Sequence, residues 1–257
     1  MIVLKSPREI ALMRAGGRIL AEVMERLRTF VKPGISTAEI DREVETFIEE
    51  KGAKSAFKGY RGFPATVCTS INEEVVHGIP SPNRRLKEGD IIGLDLGCIV
   101  DGYYADYAFT LALGEVPPRV QQLLDVTRES LERGVDQCRP GRRLGDISHA
   151  VQEHVERHGF SVVRAFVGHG IGRELHEDPQ IPNFGEAGRG PVLKPGMVLA
   201  IEPMVTMGGW EVRILPDRWT AVTEDGSLAA HFEHTVAVTD HGPDVLTRLD
   251  QTGSGGS

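Results

Sequence analysis

Ile10, Met13, Leu20, Val23, Met24 and Leu27 fall close to one face of a 3.6-residue period, which predicts an amphipathic helix. Ser6 as cap, Pro7 at the first helical position and Glu9 closing a capping box mark its start. A second helix opens at Ser36, again with a glutamate three residues on, and turns Ile40, Val44, Phe47 and Ile48 inward before stopping at Gly52. Residues 64–71 read as a strand followed by a turn-rich stretch. Asp90–Gly97 is a short apolar strand, and residues 106–113 form another after the Asp101-Gly102 turn. Pro117-Pro118 starts a third helix running to about Gln137.

The pattern then repeats. Lys32-Pro33-Gly34 is echoed by Arg139-Pro140-Gly141, 107 residues later. At that offset Ile40 matches Ile147, Val44 matches Val151, Ile48 matches Val155 and Gly52 matches Gly159. Leu86-Lys87-Glu88-Gly89 likewise matches Leu193-Lys194-Pro195-Gly196, and Asp95 falls on Glu202. This is an internal duplication of about 30–113 and 137–240. An insertion of 20 residues at 207–226, rich in turn signals, restores the match beyond it and sets Asp106 opposite Glu233. Residues 1–250 therefore read as one domain, with a flexible tail at 251–257.

Composition narrows the function. A net charge of −8 with no strongly basic stretch argues against nucleic acid as partner. Cys68, Cys98 and Cys138 form no CxxC pair, which fits a reducing cytoplasm and argues against cysteine-bound zinc. No apolar run is long enough to span a membrane, and the start MIVLKSPREI lacks a signal-peptide core.

Asp95, Asp106, Glu202 and Glu233 all lie in or beside apolar strands. Carboxylates are costly to bury unless paired or metal-bound, and four together raise one another's pKa. Two divalent ions would relieve that repulsion. The segment Val167–Pro179, VGHGIGRELHEDP, adds His169 as a nitrogen donor within a glycine-rich turn, and the set suits Mn, Fe, Co or Zn. His169 falls on Gly62 at the repeat offset, so only the second half offers the nitrogen.

From about Ser6 to Thr239 the sequence resembles the type I methionine aminopeptidases. The resemblance rests on GFPATVCTSINEEVVHGIP, DLGCIVDGYYAD, GHGIGRELHEDP, LAIEPMV and the run from DGSL to FEHT. It implies an α+β pita-bread fold: two pseudo-symmetric halves around a twisted, mostly antiparallel sheet with outer helices. It also implies that Asp95, Asp106, His169, Glu202 and Glu233 hold two divalent ions, with Asp106 and Glu233 bridging. Asp95 would serve one ion, His169 and Glu202 the other. A bridging hydroxide would attack the peptide carbonyl, with Glu202 shuttling protons, His176 stabilising the oxyanion and His77 contacting the scissile amide or the substrate N-terminus.

By the same resemblance Tyr60, Phe63, Cys68 and Trp219 line a methionine pocket, alongside His77 and His176. The implied activity removes the initiator methionine from nascent chains with a small second residue. The implied protein is a cytoplasmic monomer acting on nascent N-termini, with transient ribosome docking left open. The sequence departs from its relatives at Tyr107, where Ser or Thr is common, at His231, where Gln is frequent, and at Arg218, where Gly is common. Tyr107 puts the surroundings of Asp106 in question. The lack of a large C-terminal insertion or a zinc-finger extension favours type I. Xaa-Pro peptidases of the same fold are the alternative, and a non-catalytic relative is a weaker one, since all five ligands are present.

Overall fold

The computed structural model describes residues 1–249; the 251–257 tail lies outside them. Helix α1 (Pro7–Phe30) begins at the capping box foreseen at Ser6 and Glu9, and α2 (Thr37–Glu50) begins at an equivalent box at Ser36 and Glu39. Met13, Leu20, Val23, Met24 and Leu27 of α1 are fully buried, each large side chain contributing about 1.5–3 kcal/mol. They pack onto the hairpin formed by Ile91–Val100 and Tyr103–Ala112. That hairpin turns through two residues, Asp101 (φ 49°) and Gly102 (φ 80°), which are left-handed as a type I′ turn requires. The second strand begins three residues before the expected 106, because the tight turn lets pairing run down to Val100 and Tyr103.

The main sheet is antiparallel throughout. From one edge it runs Lys54–Ser55, Ile91–Val100, Tyr103–Ala112, Glu233–Thr239, Val198–Ile201, Gly168–Gly170 and Glu177–Ile181. Val67–Ile71 also pairs with Ile91–Val100, and Gly242–Val245 with Glu233–Thr239. Helix α3 (Pro118–Asp136) packs against α4 (Leu144–Arg157) over the second half.

The 107-residue repeat is visible in the backbone. Helices α2 and α4 are offset by 107 at both ends, as are Lys54–Ser55 and Ser161–Val162. The Gly34 N–H donates to Leu86 O just as Gly141 donates to Leu193 O, and the bridge from Ser36 to Arg85 recurs between Arg143 and Val192. The insertion is a hairpin of Val212–Ile214 and Ala221–Thr223, which pairs with Glu74–Val76 as a separate small sheet. It carries Trp219 back toward the first half.

Candidate metal centre

Strand pairing at the centre of the main sheet brings the acidic residues together. Asp95 is paired with Ala108, and Asp106 with Gly97, so the two carboxylates lie diagonally on one face. Where the halves join, Glu233 pairs with Ala108 and His234 with Tyr107. Asp106 and Glu233, equivalent in the alignment of the halves, are therefore not themselves a ladder pair. Asp106 faces Thr235, whose Oγ1 accepts from the Asp106 N–H at 3.0 Å and donates to its carbonyl at 2.8 Å. The two acidic residues meet diagonally instead, because equivalent residues of an antiparallel seam are mirrored about the pair on its axis.

His169 comes from the short strand Gly168–Gly170, which is paired with Val198–Ile201 on one side and Glu177–Ile181 on the other. Its Nδ1 donates to the Gly170 carbonyl at 2.9 Å. The proton is then on Nδ1, and Nε2 presents its lone pair 3.4 Å from Glu202 Oε1. Glu202 follows directly on Val198–Ile201.

Asp106, His169 and Glu233 offer ligand atoms within 4.8 Å of one another, and so do Glu202, His231 and Glu233. Glu233 is common to both groups. Asp95 stands outside both, and its interaction with Asp106 adds to the rise of its own pKa and works against that of Asp106. Burial, reinforced by the neighbouring carboxylates, pushes Asp95, Glu202 and Glu233 well above the usual carboxylate range. Burial likewise raises Asp106 to about 7. Asp95 Oδ1, Glu233 Oε1 and His231 Nε2 are buried with no hydrogen-bond partner. Buried polar atoms are rarely left so, and the two carboxylate oxygens are of the donor type a divalent cation takes. The residues fit such an ion.

Over this cluster opens a cavity of about 170 Å³. Every residue foreseen for the site lines it: Asp95, Asp106, His169, Glu202 and Glu233 with the rings and thiol of Tyr60, Phe63, Cys68, His77, His176 and Trp219. Trp219 meets Phe63 edge-on at 5.1 Å and His77 at 6.2 Å, so the inserted hairpin closes a wall made by the first half. Tyr60 Oη lies 2.8 Å from His176 Nδ1, and the His176 ring lies 4.3 Å from that of His169. Burial lowers the pKa of His176, and Arg61 adds to it; burial lowers that of His77 to about 4, with His176 adding to it. Both are neutral near pH 7.

Sequence reading missed Phe57, Arg61 and Leu175, which also line the cavity. Phe57 and Arg61 flank the recognised Tyr60, and Leu175 adjoins His176, so proximity was the available signal. The departure at Tyr107 leaves the acidic face untouched. Its side chain points to the opposite face of the sheet, while its backbone N–H donates to Asp106 Oδ1 at 3.1 Å. Arg218 sits at φ 68°, a left-handed backbone that glycine adopts without strain.

The fold and the acidic pocket together define a metallopeptidase. Residues 11–240 match metallopeptidase family M24, to which this chain belongs, and its fold is the pita-bread fold of that family. Methionine aminopeptidase 1 of Bacillus subtilis is 54% identical over 249 residues, covering 97% of this chain and 100% of that protein. The Clostridium acetobutylicum methionine aminopeptidase is also 54% identical, covering 96% and 99%. The crystal structure of Thermotoga maritima methionine aminopeptidase superposes with a TM-score of 0.96 at 48% identity, covering 97% of this chain and all of that one.

Proposed function

We propose that the chain is a methionine aminopeptidase that removes the initiator methionine from nascent polypeptides with a small second residue. Its two halves, about 30–113 and 137–240, act as one catalytic domain within residues 1–250. The observation that carries this reading is the cavity floored by the five acidic and imidazole donors and walled by Tyr60, Phe63, Cys68 and Trp219. Kinship with methionine aminopeptidases over nearly the whole chain supports it.

Asp95, Asp106, His169, Glu202 and Glu233 would hold two divalent ions. Bound there, such ions supply carbonyl polarisation and an activated water. The chain's own groups do the rest. Cys68 is buried, with its thiol held protonated by burial and the nearby carboxylates, so it offers a soft, uncharged contact for a thioether. Phe63 and Trp219 supply the aromatic faces. Glu202, at the cluster's edge toward His169, is placed to accept the proton of the attacking water and pass it to the departing amine. His176, held by Tyr60 and kept neutral, donates a hydrogen bond to the carbonyl oxygen as charge develops on it. His77, with its ring fixed edge-on against Phe166 at 5.4 Å and beside Trp219, faces the scissile amide.

Among the described residues no helix is long and apolar enough to cross a membrane. We place the protein in the cytoplasm as a monomer, meeting chains as they leave the ribosome. The test compares Met-Ala-Ser with Xaa-Pro peptides. Rapid release of methionine with slow cleavage before proline is expected; the reverse preference would assign the chain to the proline-specific peptidases of this fold.

A further inference from the structure

His231 ends the short strand Ala229–His231 and is 3% exposed. Its backbone is clamped by Thr110, whose Oγ1 accepts from the His231 N–H at 2.9 Å and donates to the His231 carbonyl at 2.9 Å. The direction of the side chain is thus set by the sheet rather than by the acidic cluster. Its Nε2 lies 3.7 Å from Glu202 Oε2 and 3.9 Å from Glu233 Oε2, and it is buried without a hydrogen-bond partner. The other oxygen of Glu202, Oε1, faces His169 Nε2 at 3.4 Å. The Glu202 carboxylate therefore stands between two imidazoles with one oxygen turned to each.

Resting on the metal-centre reading above, we propose that His231 is a positioning residue whose Nε2–H donates to Glu202 Oε2, holding Oε1 on the His169 side. Two features favour donation over a sixth ligand. His231 faces the oxygen of Glu202 that is turned away from His169. The present separations lie just beyond hydrogen-bond length, so a turn of the carboxylate about its own axis closes the bond without moving either backbone. A carboxylate free to rotate would divide its time between orientations, and a buried N–H on its outer oxygen selects one.

His231→Gln keeps a donor and His231→Leu removes it at similar volume. Each is prepared metal-free and titrated with Co²⁺ by calorimetry; the cobalt absorption spectrum, kcat and KM on Met-Ala-Ser are also measured. The Gln variant is expected to stay within ~3-fold of the native chain in affinity and kcat. The Leu variant should lose ~10–100-fold in cobalt affinity and at least ~10-fold in kcat, with KM within ~3-fold. If circular dichroism shows that the Leu variant does not fold, His231→Met, of similar reach and without a donor, replaces it. A Leu or Met variant that matches the native chain overturns the proposal. So does a Gln variant that falls as far as Leu with an altered cobalt spectrum, which would make His231 a ligand. A native chain that binds no Co²⁺ overturns the metal-centre reading itself, and this proposal with it.

Discussion

Tyr107 and His234 stack at 4.9 Å between ring centroids and form the ladder pair at which the two halves of the main sheet meet. They are 127 residues apart, the 107-residue repeat lengthened by the 20-residue insertion, and so are equivalent positions. A pseudo-two-fold axis passes between them. On one face it leaves Asp106 and Glu233 disposed symmetrically in the site; on the other it leaves these two rings.

His234 is buried, and its Nδ1 lies 2.8 Å from Thr247 Oγ1. Burial, with Arg248 adding to it, lowers its pKa from 6.5 to about 3. The unfolded chain takes up a proton on this ring near pH 6.5, whereas the folded chain does so only near 3. Its contribution is thus fully present above pH 6.5 and lost as pH falls toward 3, by about 1.4 kcal/mol per pH unit. Denaturant unfolding of the metal-loaded chain and of His234→Gln should show the native advantage shrinking by about 2 kcal/mol between pH 7.5 and pH 5. A gap independent of pH would mean that the ring titrates alike in the folded and unfolded chain.

Much of this was legible in the sequence because it depends on local signals. The capping boxes at Ser6 and Ser36, the Asp101-Gly102 turn and the 107-residue echo each follow from nearby residues or from direct repetition. The carboxylates were legible because acids in apolar strands demand an explanation. Three things were not. The diagonal meeting of Asp106 and Glu233 depends on the seam register, which the alignment of the halves does not specify. The outward direction of Tyr107 follows from strand alternation about that register. The position of His231 beside Glu202 depends on a strand, Ala229–His231, paired to Met204–Thr206 outside the main sheet.

Metal removal should cost both stability and activity. With Asp95 Oδ1 and Glu233 Oε1 buried and unpartnered, the stripped chain keeps an acidic cluster that lacks its cations. Metal at 100 times its Kd should add about 2.7 kcal/mol, raising Tm by roughly 5–10 °C for a chain of this size. Scanning calorimetry of chelator-treated protein before and after addition of Mn²⁺ or Co²⁺ measures this. Full activity in the stripped protein would exclude a metal centre.

His176 touches the substrate side of the cluster and is not among the grouped donors. His176→Ala should therefore keep metal affinity within ~3-fold while kcat falls ~100–1000-fold, the usual consequence of losing one donor to a developing oxyanion. Calorimetric metal titration beside steady-state kinetics separates the two. Equal losses in both would place the residue in metal binding.

Arg218 holds φ 68° in the turn before Trp219, where Asp217 Oδ1 accepts from the Trp219 and Thr220 N–H groups at 2.9 Å. A side chain in this region costs about 1 kcal/mol that glycine does not. Arg218→Gly should stabilise the chain by up to ~1 kcal/mol and leave KM for Met-Ala-Ser unchanged. A destabilised variant would show that the arginine makes a compensating contact.

Gly170 is fixed by what surrounds it. A Cβ there would stand 2.1 Å from the Asp178 carbonyl oxygen and 2.7 Å from its carbon, both backbone atoms of the adjoining strand. Gly170 also supplies the carbonyl that orients His169. Gly170→Ala must therefore push Gly168–Gly170 away from its neighbour and turn the imbalance onto the His169 ring. A loss of about 1–3 kcal/mol is expected, with metal affinity falling at least ~10-fold. Gly172→Ala is the control, since its Cβ would disturb the buried Lys5–Glu177 ion pair rather than the strand backbone beside His169. It should cost stability but leave metal affinity within ~3-fold. Equal effects from the two substitutions would mean that the glycines serve only the turn and not the histidine between them.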